Sequence, residues 1–565
     1  MHERHHVVRD GCPHLFGCGV NAPAYSPPRL QLTPPPLTDR RAGDVVVAMK
    51  TLLLALSLFV LLSPGARAAE KRPNFLFLIF DDLSWDSVGA YGNPWIQTPN
   101  LDRLAREGVL FRHAFTSNPK CSPCRASILT GRNTWQLEEL SVHNSIFPRK
   151  FAVYPDLLEA AGYAVGLTGK GWGPGDFKNH GRTRNPAGPS FDEHKTEPPA
   201  SGIGKLDYAR NFEAFLGQRP KDAPFSFWMG FQEPHRAYEL HSGVRLGKKL
   251  EDVVVPPYLP DVRAVRSDLA DYAVEVEWAD AQIGRTLAAL EAAGELDHTL
   301  IIATSDHGMP FPFVKGQIHE DGFRLPLIAR WGGVIKPGRV VDDFINVRDL
   351  APTYLELAGL PAHPQMTGRS LAHLLRSEKS GMIEGRDVML AGKERHDLGR
   401  PNNLGYPVRA IRTPEFLYVR NYHPERWPAC NPETGFGNCD DSPTKEVVKL
   451  LGGHFFDLSF NFRPADELYK LTDDPHGVRN LANDPAFAET LTGLRTRMLE
   501  MLKAEGDPRA LGNGAIFDTY EYTGANPSKS WNLWLKAQDE RLSAEAEERA
   551  RAQKKAPRPR PQPAP

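Results

Sequence analysis

Two apolar segments, each followed directly by acidic residues, most constrain the fold of this chain. Residues 74–80 (NFLFLIF) run into two aspartates, and residues 299–305 (TLIIATS) run into an aspartate and a histidine. A continuous apolar run without alternation is typical of a strand buried on both faces of a parallel sheet. The two segments therefore predict central strands whose carboxyl ends present acidic side chains.

Helix and strand patterns alternate along this half of the chain. Thr98 and Pro99 mark a helix start, because threonine is a favoured cap and proline fits the first turn. Further predicted elements are a helix at 154–162, strands at 163–167 and 224–232, and a long amphipathic helix at about 268–293. Strands alternating with such helices predict an α/β fold with a large, mostly parallel sheet flanked by helices.

The pattern of apolar segments changes past about Gly381, where segments such as 416–422 are shorter and richer in aromatic residues. We expect a smaller α+β subdomain over 381–510 and a C-terminal extension over 511–565. Residues 539–555 are charged and helix-prone, and the Pro-rich end (APRPRPQPAP) predicts a disordered tail.

The N-terminal part reads as a targeting segment. Met49 and Lys50 precede an apolar run and an A-R-A sequence, which predicts a signal peptide at 49–68 and an exported protein, periplasmic or secreted. The run is short for a bilayer, so we expect no stable membrane span. Residues 1–48 lack periodicity and are interpreted as a spurious or disordered leader, which leaves a catalytic domain at 69–380.

The charge balance gives no sign of a nucleic-acid-binding protein, and the cysteine content excludes a disulfide-rich scaffold. The 68 Lys and Arg against 69 Asp and Glu give a net charge of -1, so no charge excess points to nucleic acid. Six cysteines in 565 residues make no disulfide scaffold. A local disulfide between Cys430 and Cys439 is compatible with export.

The most specific segment is CSPCRASILTGR at 121–132. Pro123 suits a first helical turn, which places Cys121 at a helix N-terminus where free N–H groups favour anions. Arg125, four residues on, returns to the same face. The alternative is a redox or structural pair of Cys121 with Cys124, since C-x-x-C at a helix start is also thioredoxin-like.

Asp81, Asp82 and Asp306 follow predicted strands, at the edge where open α/β sheets place their sites. Three converging carboxylates repel one another unless a divalent cation joins them. His307 is predicted as a neighbour of that metal, although imidazole is a poorer ligand for a hard cation than an amide oxygen. For each aspartate alone, a helix cap or loop residue is the alternative.

These segments resemble the type I, formylglycine-dependent sulfatases, from about Arg72 to Asp484. The resemblance rests on C-x-P-x-R…T-G at 121–131, T-G-K at 168–170, E-P-H-R at 233–236 and K-G-Q-I-H at 315–319. It implies the alkaline-phosphatase-like sulfatase fold, a bound Ca²⁺, and conversion of Cys121 to formylglycine by a formylglycine-generating enzyme. Three positions depart from the usual pattern, namely Cys124 for Ser, Trp172 for His, and His307 where many members have Asn.

The resemblance also implies roles. Its catalytic set is Cys121, Arg125, Lys170, His235 and Lys315, and its metal set is Asp81, Asp82, Asp306 and His307. In this scheme the hydrated aldehyde at position 121 is the nucleophile, and cationic side chains with Ca²⁺ hold the sulfate oxygens. His235 would protonate the leaving oxygen or nitrogen.

Within the family, residues 112–117, 234–236, 309–312 and 406–409 resemble the N-sulfoglucosamine sulfohydrolase type. Arg236, Arg395 and His396 are therefore predicted to contact a sulfated saccharide, with a solvated loop as the alternative. Because one fold serves many substrates, two other functions stay open. They are a phosphonate monoester hydrolase or phosphodiesterase, and a non-catalytic glycan-binding protein in which Cys121 is never oxidised.

Overall fold

The computed structural model describes residues 71–524 and 530–555, and the described residues from Arg72 onward belong to one compact unit. The predicted leader at 1–48, the signal peptide at 49–68 and the Pro-rich end at 556–565 lie outside the described residues. In the part of the chain that is described, no helix is long and apolar enough to cross a membrane.

The strands are β1 (Asn74–Phe80), β2 (Val109–Phe111), β3 (Ala114–Phe115), β4 (Ser145–Ile146), β5 (Ala164–Gly169), β6 (Gly175–Asp176), β7 (Phe225–Gly230), β8 (Thr299–Ser305), β9 (Arg324–Leu325), β10 (Leu327–Arg330), β11 (Arg339–Val341), β12 (Ile345–Asn346), β13 (Met389–Lys393), β14 (Val408–Arg412), β15 (Phe416–Asn421) and β16 (Asp466–Lys470).

The α-helices are α1 (Pro99–Glu107), α2 (Cys121–Thr130), α3 (Tyr154–Ala160), α4 (Tyr208–Gln218), α5 (Ser242–Arg245), α6 (Arg263–Ala292), α7 (Glu320–Phe323), α8 (Leu350–Leu357), α9 (Ala372–Arg376), α10 (Pro443–Leu451), α11 (Gly453–Ser459), α12 (Ala488–Ala504) and α13 (Trp531–Lys555). Short 3₁₀ turns lie at Trp85–Ser87, Gly89–Tyr91, Thr134–Gln136, Glu138–Ser141, Lys178–His180, Val347–Asp349, Pro401–Asn403, Pro432–Thr434, Pro485–Phe487 and Gly514–Asp518.

The main sheet has seven strands in the order β11-β2-β10-β8-β1-β7-β5. Strands β8, β1, β7 and β5 are parallel, whereas β10 runs antiparallel to both β8 and β2. Phe80 pairs with Ser305 at the ends of β1 and β8, so the residues after both strands leave the sheet at the same edge. The predicted large, mostly parallel mixed sheet flanked by helices is confirmed.

Strand β1 is buried on both faces, as its unbroken apolar sequence predicts. Phe75, Phe77 and Ile79 belong to the core that includes residues of α2, α3 and α8. The intervening Leu76 and Leu78 belong to the opposite core, which includes residues of α1, α4 and α6. Successive side chains of a strand point to opposite faces, so one short segment serves both cores.

Observed boundaries differ from the predicted ones by a few residues. The strand predicted at 163–167 is β5, and the long helix α6 starts at Arg263, before the predicted position near 268. The first turn of α6 has polar side chains that obscure the apolar stripe, although Val265 within it is buried.

The second part of the fold is an antiparallel sheet in the order β13-β14-β15-β16. Leu390, Ile411 and Leu468 from this sheet form a core with Met498 and Leu502 of α12. The predicted smaller α+β part of the fold is therefore confirmed, and the structure shows that its sheet is antiparallel. Residues 539–555 lie within helix α13, which agrees with their helix-prone composition.

Candidate active site

Cys121 is the first residue of α2, a helix in which every residue is buried. Pro123 lies in the first turn, and Gly131, at φ 66°, ends the helix in the left-handed conformation. Cys121 and Cys124 are both thiols and no disulfide joins them. Cys124 lies in the hydrophobic core, where burial raises the pKa of its thiol. The predicted alternative of a Cys121–Cys124 pair is therefore not what the structure contains.

Asp81, Asp82 and Asp306 converge next to Cys121 and are buried. The backbone N–H of Asp306 bonds to Phe80 O at 3.2 Å, which extends the strand pairing past the sheet edge. Asp82 adopts φ 78°, and its N–H donates to Asp306 Oδ1 at 3.2 Å. A non-glycine residue in this conformation costs about 1–3 kcal/mol and is characteristic of functional sites.

Each of the three carboxylates has a cation at one oxygen. Lys170 binds Asp81, Lys315 Nζ lies 2.7 Å from Asp82 Oδ2, and Arg125 Nε lies 2.9 Å from Asp306 Oδ2. The other oxygens of Asp81 and Asp82 are buried and have no hydrogen-bond partner. Arg125 Nη2 lies 3.7 Å from Asp81 Oδ1, and His307 Nε2 lies 3.2 Å from Asp82 Oδ1. Buried carboxylate oxygens without a hydrogen bond are costly, and a hard divalent cation would satisfy both.

His307 completes this cluster. Its Nε2 lies 3.2 Å from Asp82 Oδ1, 3.6 Å from Asp306 Oδ1 and 3.3 Å from Cys121 Sγ. Its Nδ1 lies 3.1 Å from the carbonyl oxygen of Gly308, which can only accept a hydrogen bond. When a metal replaces the proton on Nε2, a proton kept on Nδ1 would leave the Nε2 lone pair directed at that metal, in the orientation a metal ligand needs.

The pKa shifts of Asp306 and His307 indicate an excess of negative charge in this cluster. Burial raises the pKa of Asp306 to about 7, with Asp81 adding to the effect and His307 and Arg125 opposing it. Burial opposes protonation of His307, but Asp306 and Asp82 outweigh it and raise the pKa of His307 to about 9. A bound divalent cation would relieve the same excess, so these residues fit a metal ion.

The thiol of Cys121 is activated. Burial and the charge of Asp81 oppose its ionisation, but Lys170, His307 and His143 outweigh them and hold the pKa of Cys121 well below its usual range. Position at a helix N-terminus favours the anion further. The site therefore stabilises negative charge at the side chain of residue 121.

Arg125 is fully buried, and its guanidinium donates hydrogen bonds to other groups of the protein. Besides Asp306, its guanidinium donates to the main-chain oxygens of Lys170 at 2.7 Å, Gly171 at 3.2 Å and Phe80 at 3.4 Å. These bonds tie the ends of β1 and β5 to the start of α2. Its contacts are those of a residue that positions the site.

Lys170, Lys315 and His235 lie around the carboxylate cluster. Opposing charges outweigh burial and raise the pKa of both lysines, chiefly Asp81 for Lys170 and Asp440 for Lys315. The Nδ1 of His235 lies 2.6 Å from the Arg236 carbonyl, which directs its proton there and leaves Nε2 free to act. Ligand atoms of Asp82, His235 and Asp440 all lie within 4.8 Å of one another.

The three predicted substrate contacts lie in different surroundings. Arg236 forms a bidentate pair with Asp268 at 2.7 and 2.8 Å, and Arg395 donates to the Tyr520 carbonyl. His396 Nε2 lies 2.8 Å from Asn118 Oδ1, three residues before Cys121. Of the three, His396 is the one held against the segment that leads into α2.

Sequence reasoning missed several polar residues that the fold brings to Cys121. They are Lys120, His143, Asn438 and Asp440, and Asp397 was not selected within its loop. Lys120 Nζ lies 3.3 Å from Asp397 Oδ2 and 3.2 Å from Asn438 Oδ1, and Lys315 Nζ lies 2.7 Å from Asp440 Oδ2. Lys120 adjoins the C-x-P-x-R motif and Asp397 follows the selected His396, whereas the other three lie on loops without periodicity.

Trp172 does not replace the usual histidine chemically. Its Nε1 donates to the Ser122 carbonyl at 3.0 Å, and its ring packs edge-on against Phe147 at 4.9 Å. This hydrogen bond satisfies one carbonyl of the first turn of α2. Trp172 therefore supports the helix that carries Cys121.

A mixed sheet with a carboxylate cluster and a helix-borne cysteine at its carboxyl edge defines an alkaline-phosphatase-like hydrolase. The Sulfatase family model matches residues 73–360, and the chain belongs to the sulfatase family. It is accordingly a sulfuric ester hydrolase.

The similarity to individual curated proteins agrees with this family assignment. The chain is 31% identical over 503 residues to human N-sulphoglucosamine sulphohydrolase, covering 80% of this chain and 93% of that protein. It is 26% identical over 499 residues to an ulvan-active sulfatase of Formosa agariphila, covering 82% and 80%. Human N-acetylgalactosamine-6-sulfatase is 30% identical over 340 residues, with 52% and 64% covered.

Solved structures share the fold. A protein in complex with its substrate D-glucosamine-2-N,6-O-disulfate superposes with a TM-score of 0.57 at 21% identity, covering 77% of this chain and 99% of that one. A phosphonate monoester hydrolase from Silicibacter pomeroyi superposes with a TM-score of 0.56 at 20% identity, covering 77% and 96%. At these identities the likeness concerns the fold.

Proposed function

We propose that the enzyme hydrolyses sulfate esters or N-sulfates of a sulfated saccharide, using a formylglycine made from Cys121 and a Ca²⁺ held by Asp81, Asp82, Asp306 and His307. The observation that carries the proposal is the pair of buried carboxylate oxygens, one each from Asp81 and Asp82, that lie beside Cys121 without a hydrogen-bond partner. Oxygen ligands of this kind suit Ca²⁺, whose coordination is flexible. Conversion of Cys121 requires a formylglycine-generating enzyme as a partner during maturation.

When bound, Ca²⁺ supplies positive charge to the sulfate oxygens, and formylglycine supplies an oxygen nucleophile. Lys170 and Lys315 bind the remaining sulfate oxygens, because both stay charged under the influence of the neighbouring carboxylates. Arg125 holds Asp306 and the chain after β5 in register with α2. The cations act most strongly on the charge that redistributes as the ester bond breaks.

His235 donates the proton that the leaving group needs. Its Nδ1 is held by the Arg236 carbonyl, so Nε2 exchanges the proton with the leaving oxygen or nitrogen. Arg236 fixes that carbonyl indirectly, since its own guanidinium is anchored to Asp268. For the saccharide itself we propose contacts from the loop that carries Arg395 and His396.

The substrate class proposed is a sulfated glycosaminoglycan or related polysaccharide. Support comes from the substrates named for the relatives and from the cationic side chains around Cys121. We also propose the predicted organisation, with a catalytic domain at 69–380, a subdomain at 381–510 and an extension at 511–565. Export through the signal peptide at 49–68 would place the enzyme in the periplasm or outside the cell.

Two measurements test this function. Peptide mass spectrometry should find residue 121 converted from thiol to aldehyde when the chain is expressed with a formylglycine-generating enzyme. The converted enzyme should then release sulfate from an N-sulfated or O-sulfated glucosamine, and should turn over a phenyl sulfate faster than the matching phosphate or phosphonate ester. Faster turnover of the phosphorus ester would instead identify a phosphonate monoester hydrolase, and an unconverted, inactive Cys121 would favour a glycan-binding role.

A further inference from the structure

We propose that Lys393 is a positioning residue for the reaction, because its amine fixes the loop that carries Lys315 against the segment that leads into Cys121. Lys393 is the last residue of β13, in the second sheet, and it lies outside the catalytic, metal and substrate sets that the sequence predicts. The inference rests on the part of the proposed function in which Lys315 binds the sulfate.

Lys393 is a buried lysine that binds neutral groups. Its side chain is 2% exposed, and its Nζ donates to the Gly316 carbonyl oxygen at 2.7 Å and to Gln317 Oε1 at 2.8 Å. In the described part of the chain no carboxylate forms an ion pair with it. Burial lowers the pKa of Lys393 well below its usual value, and Arg400 and Lys120 add to the effect. A lysine buried without an anion is costly to the fold, which favours a functional reason for its presence.

Three chain segments meet around this amine, namely the segment before α2, the loop 315–317 and the end of β13. The N–H of Gly392 donates to the Ser117 carbonyl at 2.8 Å, and the N–H of Gly316 donates to the Pro119 carbonyl at 3.1 Å. The bond from the side chain of β13 to the Gly316 carbonyl closes the third side. Without the amine, the loop 315–317 would lose its hydrogen bonds to β13.

Gly316 transmits this restraint to its neighbour Lys315. Its φ of 72° is left-handed, and a Cβ at this position would lie 3.2 Å from His396 Nδ1. The N–H of Gly316 belongs to the peptide bond that follows Lys315, and its carbonyl belongs to the next peptide bond. Because Pro119 binds the first group and Lys393 binds the second, both peptide planes are held, and the direction in which the Lys315 side chain leaves the loop is set.

The position of the Lys315 ammonium follows from that of its main chain. Its Nζ lies 2.7 Å from Asp82 Oδ2 and 2.7 Å from Asp440 Oδ2. The side chain is 3% exposed, and a tightly packed side chain has little freedom to correct a shift of the main chain. A misplacement of about 1 Å in a site of this kind can cost about 10²-fold in rate. Lys393 therefore acts on the sulfate through Lys315.

The test is a double-mutant cycle in the converted enzyme, with a phenyl sulfate as substrate. Lys393→Met keeps the length of the side chain and removes its donors, so kcat/KM should fall by about 10- to 100-fold, and the inhibition constant for inorganic sulfate should rise. Lys315→Met should lower kcat/KM at least as far. In the Lys315→Met background, Lys393→Met should change kcat/KM by less than about twofold, because both changes act on the same contact.

Two outcomes overturn the inference. The first is wild-type kcat/KM in Lys393→Met when Lys315→Met is impaired. The second is a pair of effects that multiply in the double variant, since Lys393 would then act independently of Lys315. If Lys393→Met does not fold, Gln317→Met removes one of the two acceptors instead. It should cause a smaller fall that also disappears in the Lys315→Met background, and effects that multiply there overturn the inference equally.

Arg339→Met is the matched control. Arg339 is buried in β11, and its guanidinium donates to the main-chain carbonyls of Lys379, Leu374 and Leu375. This variant should lower the melting temperature and leave kcat/KM and the sulfate inhibition constant unchanged. The same result in Lys393→Met, a lower melting temperature with unchanged constants, would mean that Lys393 has a structural role and would overturn the inference.

The same variants separate this inference from the proposed function. Full activity of Lys315→Met would refute the proposed role of Lys315, and the inference would fall with it. Binding of inorganic sulfate to the unconverted chain, measured by isothermal titration calorimetry, does not require formylglycine. The affinity for sulfate should weaken in Lys393→Met and stay unchanged in Arg339→Met. An unchanged affinity in Lys393→Met would overturn the inference even where residue 121 is never converted.

Discussion

At the scale of the residue, Cys121 concentrates the chemistry because several sources of positive potential meet at one side chain. The N-terminus of α2, Lys170 and the imidazole of His307 all favour an anion there. Cys124, one turn away, has the opposite environment, since burial in the core raises the pKa of its thiol. The two cysteines of one C-x-x-C sequence are therefore chemically inequivalent.

The substitution Cys121→Ala should abolish turnover and leave the fold intact, because it removes the nucleophile and only one buried atom. We expect kcat/KM to fall by at least about 10³-fold, measured as sulfate release. Cys124→Ser is the matched control and should stay within a few-fold of the wild type. Sulfate release by Cys121→Ala at the wild-type rate would exclude residue 121 as the nucleophile.

Arg236 offers a second test at this scale. Its guanidinium is bound to Asp268 and lies 4.4 and 4.5 Å from the ring centroids of Tyr238 and Phe311. Breaking a buried pair by removing one partner costs about 3–5 kcal/mol. Arg236→Ala should therefore lower the free energy of unfolding by about that amount, as measured by urea denaturation. A stable variant with only a raised KM would instead identify a direct substrate contact.

The lowered pKa of His113 should make the free energy of unfolding depend on pH in the acidic range. Burial lowers its pKa to about 3, with Arg324, Arg412 and Arg112 acting in the same direction. Because the folded pKa lies below the unfolded value of 6.5, the imidazole contributes stability at neutral pH that is lost as the pH falls. The free energy of unfolding should drop by about 2 kcal/mol through His113 between about pH 7 and about pH 5.

The measurement is urea denaturation of the wild type and His113→Gln at both pH values. The variant should lose that part of the acid sensitivity, since glutamine does not titrate. His454→Gln, which changes an exposed histidine, should keep it. Equal acid sensitivity in the wild type and His113→Gln would show that another group is responsible.

At the scale of the element, the loop before α10 places a carboxylate and an amide next to two lysines at the proposed sulfate site. Asp440 lies 2.7 Å from Lys315 Nζ, and Asn438 reaches Lys120. Burial opposes ionisation of Asp440, but Lys315 and His235 outweigh it and keep the pKa of Asp440 well below its usual value. A fixed negative charge beside a cation of the site reduces the attraction that this cation exerts on sulfate.

Asp440→Asn should therefore strengthen competitive inhibition by inorganic sulfate, with the inhibition constant falling by about 3- to 10-fold. Asp441→Asn is the matched control, because the neighbouring carboxylate is largely exposed and pairs with Lys445. It should leave the constant unchanged. Weaker inhibition in Asp440→Asn would mean that the carboxylate itself helps to bind the ligand.

Some residues of the site could be predicted from the sequence, whereas residues on loops such as this one could not. Asp81 and Asp306 were predictable because each ends an apolar strand, and parallel strands place their carboxyl ends at one edge. Cys121 was predictable from its helix-start motif. His143, Asp397 and Asp440 were not, because they lie on aperiodic loops and join the charged groups around the site only through tertiary packing. Arg236 shows the reverse case, since the sequence could not show that Asp268 binds its guanidinium.

At the scale of the whole molecule, the metal cluster joins elements that are far apart in sequence. Asp81 and Asp82 follow β1, Asp306 and His307 follow β8, and Lys170 follows β5. The oxygens of Asp81 and Asp82 that have no hydrogen-bond partner make this junction less favourable without a divalent cation. A ligand that binds the folded chain alone raises its stability by RT ln(1 + [L]/Kd), which is about 2.7 kcal/mol at a hundredfold excess over Kd.

Chelation of Ca²⁺ should therefore lower the melting temperature of the folded chain, and added Ca²⁺ should restore it, as measured by calorimetry. Cys121→Ala should respond in the same way, because the effect depends on the carboxylates and does not require catalysis. Asp82→Asn should lose most of the response, since it removes one of the two unpaired oxygens. Mg²⁺ should restore less than Ca²⁺, because it demands near-octahedral geometry and gives up its water reluctantly. A melting temperature indifferent to Ca²⁺ in the wild type would mean that Arg125, Lys170 and Lys315 alone balance the carboxylates.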